Sequence, residues 1–118
     1  RLILLYDALR CIVRTHAPEQ AAVEELFFAT NARTAISVSQ ARGVALLALA
    51  QTGLSVAEYT PLEVKQATTG YGQADKTQMQ EMVRLLLGLS DIPRPDDAAD
   101  ALAVAICHLS HSRLAGLG

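Results

Sequence analysis

Apolar and polar positions alternate along this chain in two rhythms, and the switches between them predict its elements. Leu2, Ile3, Leu5, Tyr6, Leu9, Ile12 and Val13 recur at helical spacing, with Arg1, Asp7, Arg10 and Arg14 between them, so an amphipathic helix ends before Pro18. Residues 20–28 form a short apolar run broken only by Glu24 and Glu25, and read as a strand. Thr30-Asn31 opens a long helix to about Gln51, closed by Gly53. Gly43 inside that helix costs about 1 kcal/mol relative to Ala, which predicts a close approach by another backbone. Ser55–Tyr59 is a second short strand. Thr60-Pro61-Leu62-Glu63 has capping-box spacing with Pro at the first helical position. Residues 68–72 make a turn, and Asp75 caps a further helix with Met79, Met82, Val83, Leu86 and Leu87 on its apolar face, ended by Gly88. A proline-stiffened loop over 91–95 leads to a last helix headed by Asp96, Asp97 and Asp100.

The predicted order is helix, strand, helix, strand, helix, helix, helix. Strands alternating with helices imply parallel pairing and an α/β fold. Two strands are too few for an independent sheet, and Arg1 is not an initiator Met, so the expectation is a single-domain piece, 1–118, lacking N-terminal strands. Half the 118 residues are hydrophobic and only 4% aromatic, which suits Ala- and Leu-rich helices in close contact. No apolar run is long enough to span a bilayer and no stretch resembles a signal peptide. Cys11 and Cys107, both in apolar surroundings, are expected as buried thiols of a reducing cytoplasm.

The acidic helix start carries the candidate chemistry. Asp96 is expected as the N-cap behind Pro95, and Asp97 and Asp100, three apart, share a face. Like charges that close repel unless a proton or a cation intervenes, and magnesium seeks oxygen ligands of this kind. An ordinary acidic helix start is the competing explanation. Glu24, near the C-terminal end of the first strand, stands where open α/β sheets bind ligands. If Glu24 meets Asp97 and Asp100, three carboxylates converge in a way that suits two magnesium or manganese ions roughly 3.5–4 Å apart at a scissile phosphate. The net charge of −2 argues against a nucleic-acid partner only superficially: without those three, nine of the twelve acids remain against ten Lys and Arg.

The series Ala22-Val23-Glu24-Glu25-Leu26-Phe27, Asn31, Gln40–Val44, Val64-Lys65-Gln66, Gly70-Tyr71-Gly72, Asp75-Lys76, Met82-Val83 and Asp97–Ala103 resembles the RuvC family of crossover junction endodeoxyribonucleases. The motifs stand in family order from Arg1 to about His111. The resemblance implies an RNase H-like fold, four-way junction DNA as substrate, a homodimer, a branch-migration helicase complex as partner, and magnesium or manganese as cofactor, two ions per active site. It also implies that Glu24, Asp97 and Asp100 are three of the family's four metal-binding acids, that Phe27 stacks on bases, and that Lys65 and Lys76 lie beside the scissile phosphate. The first acid, on an N-terminal strand, has no counterpart in these residues, so the chain as it stands is expected to be inactive or nearly so.

The residues themselves leave several roles open. Lys76 in the first turn of its helix opposes the dipole, which a bound phosphate would relieve; a solvated lysine is the bland alternative. Phe27 is core or a stacking platform. Arg42 contacts DNA or bridges to an acid. His108 and His111 share a face with no carboxylate in view and read as structural or exposed, and Met79 and Met82 as core or dimer surface. A non-catalytic junction-binding or dimerisation module on the same scaffold is the alternative function. It predicts DNA binding without cleavage.

Overall fold

The computed structural model describes residues 1–25 and 32–114. Its element order is that expected: α1 (Leu2–His16), β1 (Gln20–Glu24), α2 (Ala32–Gln51), β2 (Ser55–Tyr59), α3 (Pro61–Thr69), α4 (Lys76–Leu87) and α5 (Asp96–Leu114). The strands pair in a small parallel two-stranded sheet. β1 is shorter than its apolar run, because Glu25 already lies beyond it. Residues 26–28 of the expected strand and the Thr30-Asn31 helix start lie outside the described residues.

The chain forms two compact units. One comprises Arg1–Ala21 with Phe27–Ala57, the other Ala22–Leu26 with Glu58–Gly118. In the first, α1 packs on α2. The Tyr6 hydroxyl donates to Gln51, and Arg10 donates to the Tyr6 oxygen at 2.8 Å while stacking over its ring. α1 ends as Pro18 requires, with Ala17 in the left-handed region at φ 46° and its N–H on the Val13 carbonyl. Two sequence expectations fail in this unit. Cys11 is exposed rather than buried, since no residue of α1 is buried. Gly43 is exposed too, and a Cβ there would meet nothing within 4 Å among the described residues, so no backbone approaches it closely.

The second unit holds most of the buried core. α3, α4 and α5 pack on one another through Val64, Val83, Ala99, Ala103, Val104 and Cys107. Small residues at 99 and 103 leave α5 a narrow face, which lets its neighbours approach. Both predicted capping boxes form. Thr60 accepts from the Glu63 N–H at 3.1 Å and Glu63 accepts from Thr60 N–H at 2.9 Å. Asp75 and Gln78 exchange the same pair at 2.8 Å each. Gly70 and Gly88 close α3 and α4 with positive φ, the conformation glycine adopts at least cost. Gly72 is constrained differently: a Cβ there would come within 2.6 Å of Leu62, so the turn after α3 folds tightly back onto that helix. Both thiols are free, and among the described residues no helix is long and apolar enough to cross a membrane.

Candidate active site

All the acids singled out above lie in the second unit. Glu24 ends β1, half-buried among apolar neighbours. Burial pushes its carboxyl above the usual value, the charge of Asp100 adds to that push, and Lys65 opposes it. Burial pushes the Cys107 thiol up, and the charges of Glu63 and then Glu24 add to it. Asp100 and Cys107 are seven apart, two turns along one face of α5. The Glu24 carboxylate lies in the fields of Asp100 and Lys65.

The head of α5 divides its three acids between two tasks. Asp96 is the first helical residue and not the N-cap expected, because its carboxylate is drawn to α4. It pairs with Lys76 at 3.1 Å and accepts from Gln80 at 3.2 Å. This bond and charge hold the Asp96 carboxyl below its usual range and raise Lys76, which Asp100 and Asp97 raise further. Lys76, the first residue of α4, is thus neither an isolated cation nor merely solvated: it stands in the summed field of all three aspartates. Asp97 is exposed. Among the described residues no group of three or more His, Cys, Asp and Glu side chains is close enough to hold a metal ion. The structure brings Glu24 and Asp100 into each other's field and places Asp97 one turn earlier on the same helix.

Glu24 and Asp100 are oxygen donors of the type a hard divalent cation takes. Two carboxylates share a field and one is partly desolvated, a combination relieved by a proton or a cation with oxygen preference. Lys65 is half-buried on α3. Arg42 is half-buried on α2, in the first unit, with an interaction partner of its own. Phe27 lies outside the described residues. Met79 is half-buried, and Met82 lines a cavity of about 440 Å³ with Thr69, Tyr71 and Ala74, away from every candidate acid in that lining.

Sequence reasoning missed a second cluster beside these acids. His111 was read without a carboxylate, yet its Nε2 lies 3.8 Å from Glu63 Oε2, because α3 and α5 pack side by side. The Thr60 backbone N–H and hydroxyl, with His111 adding, hold the Glu63 carboxyl below its usual range. The Tyr59 hydroxyl and His108 Nδ1 are 2.7 Å apart, and the Tyr59 ring packs on His111 with centroids 4.8 Å apart. The spacing of His108 and His111 signalled a shared face; only the fold supplies what that face meets.

A half-buried acid at a strand end and exposed acids at the head of α5 stand on a fold that is RNase H-like. The chain is similar to the solved Thermus thermophilus RuvC structure, with a TM-score of 0.88 and 38% identity over 97% of this chain and 69% of that one. T. thermophilus RuvC in complex with Holliday junction substrate matches with a TM-score of 0.91 and 38% identity, over 98% of this chain and 70% of that one. The family profile described as Crossover junction endodeoxyribonuclease RuvC matches residues 1–108. The Crossover junction endodeoxyribonuclease RuvC of Chloroflexus aurantiacus is 69% identical over 108 residues, covering 92% of this chain and 66% of that protein. The protein of the same name from Desulfitobacterium hafniense is 63% identical over 112 residues, covering 95% of this chain and 67% of that one. This chain belongs to the RuvC family. It spans 66% of the length of the first of these relatives.

Proposed function

We propose that the protein containing this chain is a metal-dependent, structure-selective endodeoxyribonuclease that resolves Holliday junctions by paired phosphodiester nicks, in recombination and repair. The observation that carries the proposal is the Glu24–Asp100 pair, a half-buried strand-end carboxylate raised first by burial and then by the charge of an aspartate in the first turns of α5. Desolvation and like charge both oppose ionisation of such a carboxylate, a cost that a bound cation would relieve. Family membership supplies the reaction that such a pair would serve.

In this reading residues 1–118 act as one nuclease domain, and Glu24, Asp97 and Asp100 hold magnesium or manganese, two ions per site. Bound there, the ions supply an activated water and charge compensation for the leaving 3′ oxygen. Lys65 balances the charge of Glu24 and meets the phosphate. Lys76, held by Asp96 at the start of α4, offers its ammonium beside the free N–H groups of that helix. Phe27 stacks on a base at the opened junction, and Arg42 engages the phosphate backbone away from the reacting bond. The protein works in the cytoplasm as a homodimer, each subunit nicking one strand, alongside a branch-migration helicase complex.

The test is cleavage of a synthetic four-way junction by the complete polypeptide with magnesium, compared with its Asp100→Asn variant. Asn keeps the shape and removes the charge. The expected result is paired nicking by the parent and a loss of at least about a hundredfold in the variant, with junction binding retained. An unchanged rate in Asp100→Asn overturns the metal assignment. Binding without cleavage by the parent establishes the non-catalytic module instead.

A further inference from the structure

Tyr59 closes β2 and is 8% exposed, yet its two polar groups reach in different directions. Its carbonyl accepts the N–H of Glu25, the residue after Glu24, at 2.7 Å. Its hydroxyl bonds His108 Nδ1 on α5 at 2.7 Å. The ring between them is held on one side by His111, tilted by 47°. His111 is itself fixed, with Nδ1 at 2.9 Å from the Cys107 carbonyl of its own helix and Nε2 toward Glu63 on α3. Apolar packing alone resists separation of two elements but leaves sliding along a helix cheap. A directional hydrogen bond at each end of one rigid side chain removes that freedom.

We infer that Tyr59 is a positioning residue that sets the register between the strand end bearing Glu24 and the helix bearing Asp97 and Asp100. This rests on reading those acids as cation ligands. His108 stands eight residues after Asp100, about 12 Å along a stiff helix, so a bond at His108 fixes Asp100 without touching it. With the hydroxyl as donor to His108 Nδ1, the other ring nitrogen, Nε2, stands 3.5 Å from Ser112 Oγ. Removing the hydroxyl strips His108 Nδ1 of its donor inside the packed unit and frees α5 to shift along β1. Groups that orient metal ligands in this indirect way are worth about ten- to a hundredfold in metal affinity or activity when lost.

The experiment uses the complete protein and four variants: Tyr59→Phe, His108→Gln, His108→Leu and the Tyr59→Phe/His108→Leu pair. Mn²⁺ binding is followed by the electron paramagnetic resonance of the free ion, alongside kcat on a four-way junction and junction affinity without divalent metal. Tyr59→Phe is expected to weaken Mn²⁺ binding and lower kcat by about tenfold each, with metal-free junction affinity unchanged. His108→Gln keeps an acceptor for the hydroxyl and should stay near the parent, whereas His108→Leu should match Tyr59→Phe. The double variant should be no worse than either single one. Parental Mn²⁺ affinity and kcat in Tyr59→Phe, with only the melting temperature lowered, overturns the inference. So does equal damage from Gln and Leu at 108, a comparison that keeps the Tyr59 ring and survives if Tyr59→Phe does not fold. A parent protein that neither binds Mn²⁺ nor cleaves overturns the reading of the acids themselves, and the inference with it.

Discussion

The two units of this chain are built to different standards of packing. In the unit of α3, α4 and α5 the buried residues form a continuous set, from Tyr59 and Val64 through Val83 to Cys107 and Ser112. In the unit of α1 and α2 Ala48 is buried; both units leave large apolar side chains exposed, Leu2, Ile3, Leu4 and Ile12 in this one and Leu62, Leu85, Leu86 and Leu109 in the other. Both units are helical and apolar in composition, so hydrophobicity does not separate them. What separates them is how many elements share a core: three mutually packed helices in one, a single helix pair in the other. The acids sit in the unit with the enclosed core, where a side chain placed on one element stays in register with its neighbours. Chemistry that depends on two carboxylates at fixed separation needs that rigidity.

The cysteines give this comparison its largest expected signal, since each unit carries one described thiol. Cys11 is exposed, whereas burial pushes the Cys107 thiol up to about 11, with Glu63 and Glu24 adding to the shift. At pH 8 so weak an acid holds about a hundredfold less thiolate than an ordinary cysteine, and the thiolate is what reacts. A thiol reagent should therefore modify one cysteine of these two promptly and the other at least about a hundredfold more slowly, with peptide mapping assigning the fast site to Cys11. In denaturant the two rates should converge. Equal rates in the folded protein would show that the α3–α5 interior opens readily, and the contrast between the units would be gone.

A smaller effect sharpens the same contrast thermodynamically. Val83 is 1% exposed and Ile12 is 53% exposed. Val83→Ala removes buried methyl groups and should cost about 2 kcal/mol, whereas Ile12→Ala should stay within about 0.5 kcal/mol, both read by denaturant unfolding of the chain. Repeating the pair in the complete protein adds information. If Ile12→Ala then costs as much as Val83→Ala, the exposed face of α1 is covered there by residues beyond this chain.

Much of the fold was legible because its signals are local. The capping boxes at Thr60 and Asp75, the stop before Pro18 and the glycines after α3 and α4 depend on residues within one turn of each other. The candidate acids could be picked out for a different reason: an acid at a strand end and aspartates at a helix start are unusual enough to stand out singly. What could not be read was which neighbour each group meets. Asp96 looked like a cap and is instead the partner of Lys76, because α4 and α5 run alongside each other. His111 looked uncharged in its surroundings until α3 brought Glu63 to it. The apolar spacing of α1 implied a buried face, but spacing records only that a face exists. Whether anything packs on it is a property of the assembly.

The smallest effect is the most specific to the proposed chemistry, because it asks whether the acids are costly in the absence of their cation. The Glu24 carboxyl is raised above its ordinary value of 4.5 by burial and by Asp100. A raised folded-state value means that folding shifts the balance toward the neutral form. Its contribution to stability is complete below the unfolded value and is lost as pH rises through the raised one. Glu24→Gln is neutral at every pH, so it escapes that loss. The variant should melt above the parent at pH 7 without divalent metal, and the difference should shrink toward zero as both are titrated to pH 4. Other carboxylates titrate in both proteins and cancel in the difference. Magnesium should then reverse the order, stabilising the parent more than the variant, because only the parent keeps the ligand whose charge the ion neutralises. A variant that melts below the parent at every pH would mean that Glu24 is held by favourable contacts rather than tolerated for function. In that case the cost of placing two carboxylates against the face of α5, on which the functional reading stands, would not exist.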